Sequence, residues 1–347
     1  NAVISTVAYD ANATDDGENN GTLAFSFGGG ADDALFTIDA DDGEVRFKAS
    51  PNFEAPTDAG KNNVYDIKVK ASDGALSATK DVAITVTNVN EAPTNIVFTG
   101  NAGLTVGTSG GDTTIADGSI LFTLSTIDPD DVSGFTYTFK GNATEAVTVD
   151  GDSETFSINA STGAVTTTAL AYNDVSSVTI STNQPRTQDA GGLTKSETVT
   201  LWLGEQGSGD TINGSANSHD QVMYGLGGND TLTGGSGNDW IFGGAGDATI
   251  IGAQNDTILN GGANTDTLNV GANFTSTSNA QIVSIENVTL TAAGLTLDLS
   301  NQTEGFALIT GSGGADNITA GSGADTINGG ASADTITGGV GGDTITG

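Results

Sequence analysis

Asp316, Asp325, Asp334 and Asp343 stand nine residues apart, and each is followed two positions later by an isoleucine (Ile318, Ile327, Ile336, Ile345). Each is preceded by a glycine-rich tetrad such as Gly338-Gly339-Val340-Gly341. Glycines allow the left-handed backbone of a tight turn and leave main-chain carbonyls exposed around the bend. The aspartate adds a carboxylate beside those carbonyls. Hard oxygen ligands in a flexible loop suit Ca²⁺ better than Mg²⁺ or a transition metal.

A fixed short period means a repeat architecture, in which each unit supplies one turn and one short strand. The expectation is a stack with isoleucines inside and aspartates outside in rows, which would repel along the stack without a cation. The signal begins earlier and less regularly. Asp210, Asp220, Asp230, Asp239, Asp247, Asp256 and Asp266 follow one another at steps of 8 to 10, with Ile212, Val222, Leu232, Ile241, Ile258 and Leu268 in the inward position. Gly234-Gly235-Ser236-Gly237-Asn238-Asp239 repeats the full pattern. Gly261 to Asp266 lacks its third glycine, Gly243 to Asp247 lacks one residue, and Glu205 to Asp220 fits worst. Residues 271–308 keep apolar alternation (Val288, Leu290; Leu295, Leu297, Leu299) without the glycine-aspartate turns, and read as metal-poor coils of the same solenoid.

The unit G-G-x-G-x-D-x-U-x, with U bulky and apolar, resembles the calcium-binding nonapeptide of RTX proteins. That resemblance implies a parallel β-roll or β-helix binding several Ca²⁺ ions. The ligands it implies are Asp230, Asp239, Asp247, Asp256, Asp266, Asp316, Asp325, Asp334 and Asp343, with turn carbonyls near Gly227, Gly234, Gly237, Gly321, Gly323 and Gly338.

Charge agrees. The chain has 347 residues, and 43 acidic against 9 basic side chains give a net charge of −34. Nucleic acid and anionic membranes would be repelled. Residues 205–347 carry 15 acidic side chains and no Lys or Arg, so that region has no internal counter-charge. There is no cysteine to form a disulfide or a thiolate zinc site. No segment approaches the roughly 20 apolar residues that span a bilayer. The reading is an acidic extracellular chain, not inserted in a membrane. Both ends read as interior to a longer polypeptide: Ala2 to Val7 reads as a strand, and Gly347 falls within a repeat.

Residues 1–204 differ in kind. Short alternating strands (Leu23–Phe27, Val45–Phe47, Tyr65–Val69, Val82–Val86; then Phe122–Leu124, Phe135–Phe139, Phe156–Ile158, Val178–Ile180, Val199–Leu203) are separated by Gly/Asp/Asn turns, which predicts two β-sandwiches. The fold class is therefore all-β. Expected domains are sandwiches over 1–94 and 95–204, a degenerate β-roll over 205–270, metal-poor coils over 271–308 and a regular β-roll over 309–347.

Asn52-Phe53-Glu54, Ala71-Ser72-Asp73-Gly74, Asn88-Val89-Asn90-Glu91-Ala92-Pro93, Asp128-Pro129-Asp130 and Asp189-Ala190-Gly191 resemble the calcium-binding turns of bacterial cadherin-like repeats. In that family, ions stiffen the junction between successive repeats. The resemblance implies junction ligands Glu54, Asn88, Asn90 and Glu91 from the first repeat, with Asp128, Asp130 and Asp189 from the second. Asp15, Asp16 and Asp73 would face an upstream neighbour. Asn88 stands where the family usually has aspartate, and Ala92 where it has asparagine.

Catalysis finds little support. His219 is the sole histidine, in the polar turn Asn217-Ser218-His219-Asp220, so no Ser-His-Asp set can be assembled. Gly225-Leu226-Gly227-Gly228 lacks the lysine and helix of a phosphate loop. Trp202, Trp240 and Tyr224 are candidates for a carbohydrate-stacking surface or for core packing. Cadherin-like domains leading into an RTX solenoid resemble type I-secreted adhesins and surface-layer proteins. Ile282-Val283-Ser284-Ile285-Glu286-Asn287-Val288 adds a resemblance to surface-layer lattices. The implied function is an extracellular structural or adhesive protein that folds on binding Ca²⁺, self-associates or meets other cell-surface molecules, and is not an enzyme. The alternative is the calcium-binding module of a secreted hydrolase.

Overall fold

The computed structural model describes residues 5–15, 22–109, 111–140, 142–149, 152–172, 175–180, 184–252 and 254–347. Among the described residues the regular structure is β, apart from one 3-10 turn at Asp33–Leu35. Two compact units are present, 1–91 and 92–347.

In the first unit, Tyr9–Asp10, Glu44–Phe47 and Phe36–Ile38 form one antiparallel sheet, and Ala24–Phe27, Val64–Ser72 and Ser77–Thr85 form another. Alternation along Val64–Ser72 turns Tyr65, Ile67 and Val69 inward onto Phe36 and Val45. Phe36, Phe47 and Tyr65 close the core edge-on, with Phe47 and Tyr65 ring centroids 5.1 Å apart. The strand expected over Ala2 to Val7 is not what the described part shows. Residues 1–4 lie outside the described residues, Ser5 to Ala8 are turn and bend, and the first strand is Tyr9–Asp10.

The second unit begins with antiparallel sheets. The largest runs Thr144–Val149, Asp152–Ile158, Ala164–Thr167, Ile120–Ile127, Asn95–Gly100. Phe98, Phe122, Phe139 and Phe156 are fully buried between the sheets. At Val199–Leu203 the pairing changes sense. This strand is antiparallel to Ser176–Ile180 on one side and parallel to Gln221–Tyr224 on the other. It is thus the first rung of a parallel solenoid, and the expected boundary after residue 204 falls at its end, inside a continuous sheet and a shared core. Tyr224 and Phe242 from the solenoid pack in one cluster with Phe98 and Phe122.

From there the chain coils. One wall is an eight-stranded parallel sheet from Thr211–Asn213 to Thr344–Thr346. The other runs from Val199–Leu203 through Ile258–Ala263 to Ile282–Val283, and a four-stranded sheet from Phe274–Thr275 to Thr335–Thr337 follows it. Strands pair 18 residues apart (Thr231↔Thr249, Thr249↔Thr267, Thr326↔Thr344), so each nonapeptide is half a coil and successive repeats alternate between walls. Ile212, Leu232, Ile250, Leu268, Val288, Ile309 and Ile327 stack in register as a fully buried interior ladder. Residues 271–308 continue the solenoid in longer coils.

Candidate metal centres

Most of the repeat aspartates are not on the outside. Asp230, Asp239, Asp256, Asp266, Asp316 and Asp325 are each at most 2% exposed. Side chains at i and i+2 of a strand share a face, so the aspartate turns inward with the Ile or Leu two positions on, except at Asp256, where the inward residue is Leu259. The buried carboxylate is held by the neighbouring coil, through a main-chain N–H roughly 18 residues earlier.

These bonds build two columns, one at the start of each wall's strands. Beside the eight-stranded wall, Asp210 N–H donates to Asp230 Oδ1 at 2.8 Å, Ala248 N–H to Asp266 Oδ1 at 2.7 Å, and Asp266 N–H to Glu286 Oε2 at 2.8 Å. Phe306 N–H then donates to Asp325 Oδ1 at 2.7 Å, and Asp325 N–H to Asp343 Oδ1 at 3.1 Å. Beside the opposite wall, Gln221 N–H donates to Asp239 Oδ1 (2.9 Å) and Asp239 N–H to Asp256 Oδ1 (3.2 Å). Leu295 N–H donates to Asp316 Oδ1 (2.8 Å) and Asp316 N–H to Asp334 Oδ1 (2.9 Å).

The other carboxylate oxygen tests whether a cation fits. Oδ2 of Asp230, Asp256, Asp266, Asp325 and Asp334 is buried with no hydrogen-bond partner. Such an orphan is costly unless an ion fills the gap. The preceding glycine keeps room around it. A Cβ on Gly225 would lie 2.5 Å from Asp230 Oδ2 and 2.5 Å from Gly243 O; on Gly261 it would collide with the Asp266 carboxylate and the Ser284 carbonyl; on Gly329 it would lie 2.6 Å from Asp334 Oδ2. Carboxylate and carbonyl oxygens thus converge where only glycine fits, a donor set of the hard-oxygen kind that Ca²⁺ takes. Ca²⁺ would be held by these carboxylates and carbonyls, and would supply the missing counter-charge.

Titration reflects the same burial. Asp256 is pushed up to about 8, by burial first and then by the charge of Asp239. Burial likewise raises Asp230, Asp239 and Asp266 to about 6, and raises Asp325. Asp316 departs from this. Burial pushes it up, but donors from Ser312 Oγ, Ser312 N–H, Leu295 N–H and Gly294 N–H hold it below the usual carboxylate range. Both oxygens of Asp316 are engaged by protein, since Ser312 N–H and Oγ each reach Oδ2 at 2.7 Å.

Other expected positions fall elsewhere. Asp247 is exposed, and Ala248 takes the column place one residue later. Asp247 instead accepts Thr265 N–H at 3.1 Å, in an outer rank where Asn229 accepts Asp247 N–H. Asp220 sits one residue early in the same way and accepts Asn238 N–H. Glu286, in the coils read as metal-poor, holds a column place; its phase of two residues before Val288 matches that of Asp266 before Leu268. Asp210, from the worst-fitting stretch, opens the column. Among the expected turn carbonyls, Gly227 O accepts Gly207 N–H and Gly321 O accepts Val340 N–H. Gly234 and Gly338 give room to Asp239 and Asp343, while a Cβ on Gly237 or Gly323 would meet the adjacent coil's backbone.

Of the expected junction ligands, Glu54, Asn88, Asn90 and Glu91 belong to the first unit and Asp128, Asp130 and Asp189 to the second. In the first, Glu54 N–H donates to Asn52 Oδ1 and Asn90 Nδ2 to Glu91 O. In the second, Asp128 Oδ1 accepts Asp130 N–H (2.9 Å) and Asp131 N–H (3.1 Å), and Asp189 Oδ1 accepts Leu193 N–H at 2.8 Å. Asp15 and Asp73 lie in the first unit, and Asp16 is outside the described residues. Tyr224 is a core residue, 2% exposed and stacked on Phe242 at 5.2 Å, so it offers no face to a sugar. Trp202 Nε1 donates to Gln221 Oε1, and Trp240 is stacked 6.4 Å from Phe242. His219 is half-buried, with Nε2 2.7 Å from Thr200 Oγ1.

The family model described as RTX calcium-binding nonapeptide repeat (four copies) matches residues 215–250 and 310–345. The chain therefore carries RTX calcium-binding repeats. A search of curated proteins gives no match. Similar solved structures include human protocadherin-24 EC1-2 (19% identity, 58% of this chain and 88% of that one, TM-score 0.39). Drosophila N-cadherin EC1-4 follows at 15% identity, 60% of this chain, 50% of that one and TM-score 0.38. Protocadherin gamma B7 cadherin domains 1-4 gives 22% identity, 52%, 40% and 0.33. The chain thus spans half or less of the two longer cadherin fragments. Among the described residues no helix is long and apolar enough to cross a membrane.

Proposed function

We propose that this chain is part of an extracellular calcium-binding structural or adhesive protein of the cell surface, non-catalytic, whose solenoid folds when it meets Ca²⁺ outside the cell. Adhesin and surface-layer or filament subunit are its two forms, with self-association or another cell-surface molecule as the partner. The observation that carries the reading is the set of buried, unpartnered carboxylate oxygens set among main-chain carbonyls in a region with no Lys or Arg.

Buried carboxylates without counter-charge oppose folding, and an ion that binds only the folded state adds stability by mass action, about 2.7 kcal/mol per site at a hundred times its dissociation constant. Several sites acting together turn a calcium gradient into a folding switch. Low cytosolic calcium would keep the chain unfolded for export, as type I secretion requires. Calcium binding by Glu54, Asn88, Asn90, Glu91, Asp128, Asp130 and Asp189 of the N-terminal domains belongs to the same reading. Circular dichroism of the full chain in excess EGTA tests the switch. Loss of the parallel β signal is expected, with recovery on adding Ca²⁺. A spectrum unchanged by chelation sinks the proposal.

A further inference from the structure

Along each column, a residue without a carboxylate recurs. Beside the eight-stranded wall these are Ala248 and Phe306; beside the opposite wall Gln221 and Leu295 stand at the head of each run. Each such residue offers its N–H to the first of two acids, and that acid offers its own N–H to the second. Asp266 is followed in this way by Glu286, Asp325 by Asp343, Asp239 by Asp256 and Asp316 by Asp334. Asp210 and Asp230 form the remaining pair.

The unpartnered oxygens follow the same division. Oδ2 of Asp230, Asp256, Asp266, Asp325 and Asp334 is orphaned, one in each pair. In three pairs the other acid has already spent Oδ2 on a protein donor: Glu205 N–H for Asp210, Gly235 N–H for Asp239 and Ser312 for Asp316.

Resting on the calcium reading above, we infer that 205–347 holds one divalent cation per carboxylate pair, five in all, rather than one per repeat aspartate. One ion of charge +2 neutralises two carboxylates, and it occupies the place beside the orphaned Oδ2 of each pair. Within a pair the acids lie on adjacent coils, about 4.8 Å apart. Across an interrupting rung such as Ala248, the nearest acids of neighbouring pairs lie about twice that distance apart, so ions there need not share a carboxylate.

The test counts ions on the full chain, loaded with CaCl₂ alone, by native mass spectrometry. Asp266→Asn should remove one ion, and Asp266→Asn combined with Glu286→Gln should also remove one. Loss of two from the double variant overturns the pairing, as does an unchanged count in both. Should those variants not fold, terbium-soaked crystals of the unaltered chain give the answer directly. Five anomalous peaks along the solenoid, one beside each orphaned Oδ2, support the pairing; one peak at each repeat aspartate overturns it. Absence of any bound ion would instead refute the calcium reading on which the pairing rests.

Discussion

At Gly225 the absence of a side chain decides whether a carboxylate has a place. A methyl there would sit 2.5 Å from both Asp230 Oδ2 and Gly243 O, inside contact distance of two rigid partners. Gly313 belongs to the same kind of turn, yet a methyl on it meets nothing within 4 Å. Gly225→Ala should therefore raise the calcium concentration at half-saturation several-fold and lower the melting temperature of the calcium-loaded chain, while Gly313→Ala leaves both within error. Calorimetry and a calcium titration of the two variants check this; equal effects would show that the glycines matter only as flexible turn residues. Residue types were readable from sequence, and so was the phase of acid before apolar residue, except after Asp220 and Asp256, where Met223 and Leu259 rather than Val222 and Ile258 turn into the solenoid. Column membership was less so. Asp247 looks like a ligand because it follows four glycine-rich positions, but the inward apolar residue is Ile250, which fixes Ala248 as the column residue. Glu286 was hidden by its missing glycines although its spacing to Val288 was correct. The inward residue sets the phase, because burying it is worth about 1.5–3 kcal/mol, whereas a turn can lose or gain a residue at little cost.

A strand that is antiparallel on one edge and parallel on the other joins the two architectures of the second unit. Val199–Leu203 gives the solenoid a paired first rung, where a bare edge would otherwise invite association. The seam is polar as well as apolar. Tyr224 hydroxyl donates to Leu121 O and accepts Asn101 N–H at 2.6 Å, and Tyr172 hydroxyl donates to Gly204 O at 2.9 Å. Tyr224→Phe keeps the packing but strands two main-chain groups, at a cost of about 1–3 kcal/mol. Because these groups tie the first coils to the sandwich, the variant should need more calcium to fold the solenoid, measured by circular dichroism of the full chain. An unshifted titration would mean that the coils fold without regard to the sandwich. The existence and type of both architectures were legible, from period-2 alternation before residue 204 and the nine-residue period after it. Their fusion was not, because a strand's sequence carries no mark of which neighbour it pairs with in which sense. The alternation of nonapeptides between two walls was hidden for the same reason: a period of nine is compatible with one row or two, and only the 18-residue pairing decides.

For the whole molecule, a net charge of −34 and a file of buried acids make proton and calcium competitors for the same groups. Asp256 titrates near 8, and Asp230, Asp239 and Asp266 near 6, all above an unfolded carboxylate. Between about pH 4 and 8 the folded, calcium-free chain therefore binds more protons than the unfolded one, and its stability falls as pH rises. These groups contribute fully below the unfolded pKa and lose their contribution as pH passes through 6 to 8. Asp316, held low by its donors, works in the opposite sense, but only as pH falls below the ordinary carboxylate range. Relief of net negative charge at lower pH acts in the same direction as the raised aspartates. With calcium stripped beforehand on a chelating resin, the solenoid's residual parallel β signal by circular dichroism of the full chain should be stronger at pH 5 than at pH 8. In saturating Ca²⁺ the urea midpoint of the folded solenoid should instead be higher at pH 8 than at pH 5, because the ion displaces protons and binds the ionised pairs most tightly at the higher pH. A calcium-free signal that grows from pH 5 to pH 8 would mean that the buried acids are neutralised by something other than protons or calcium.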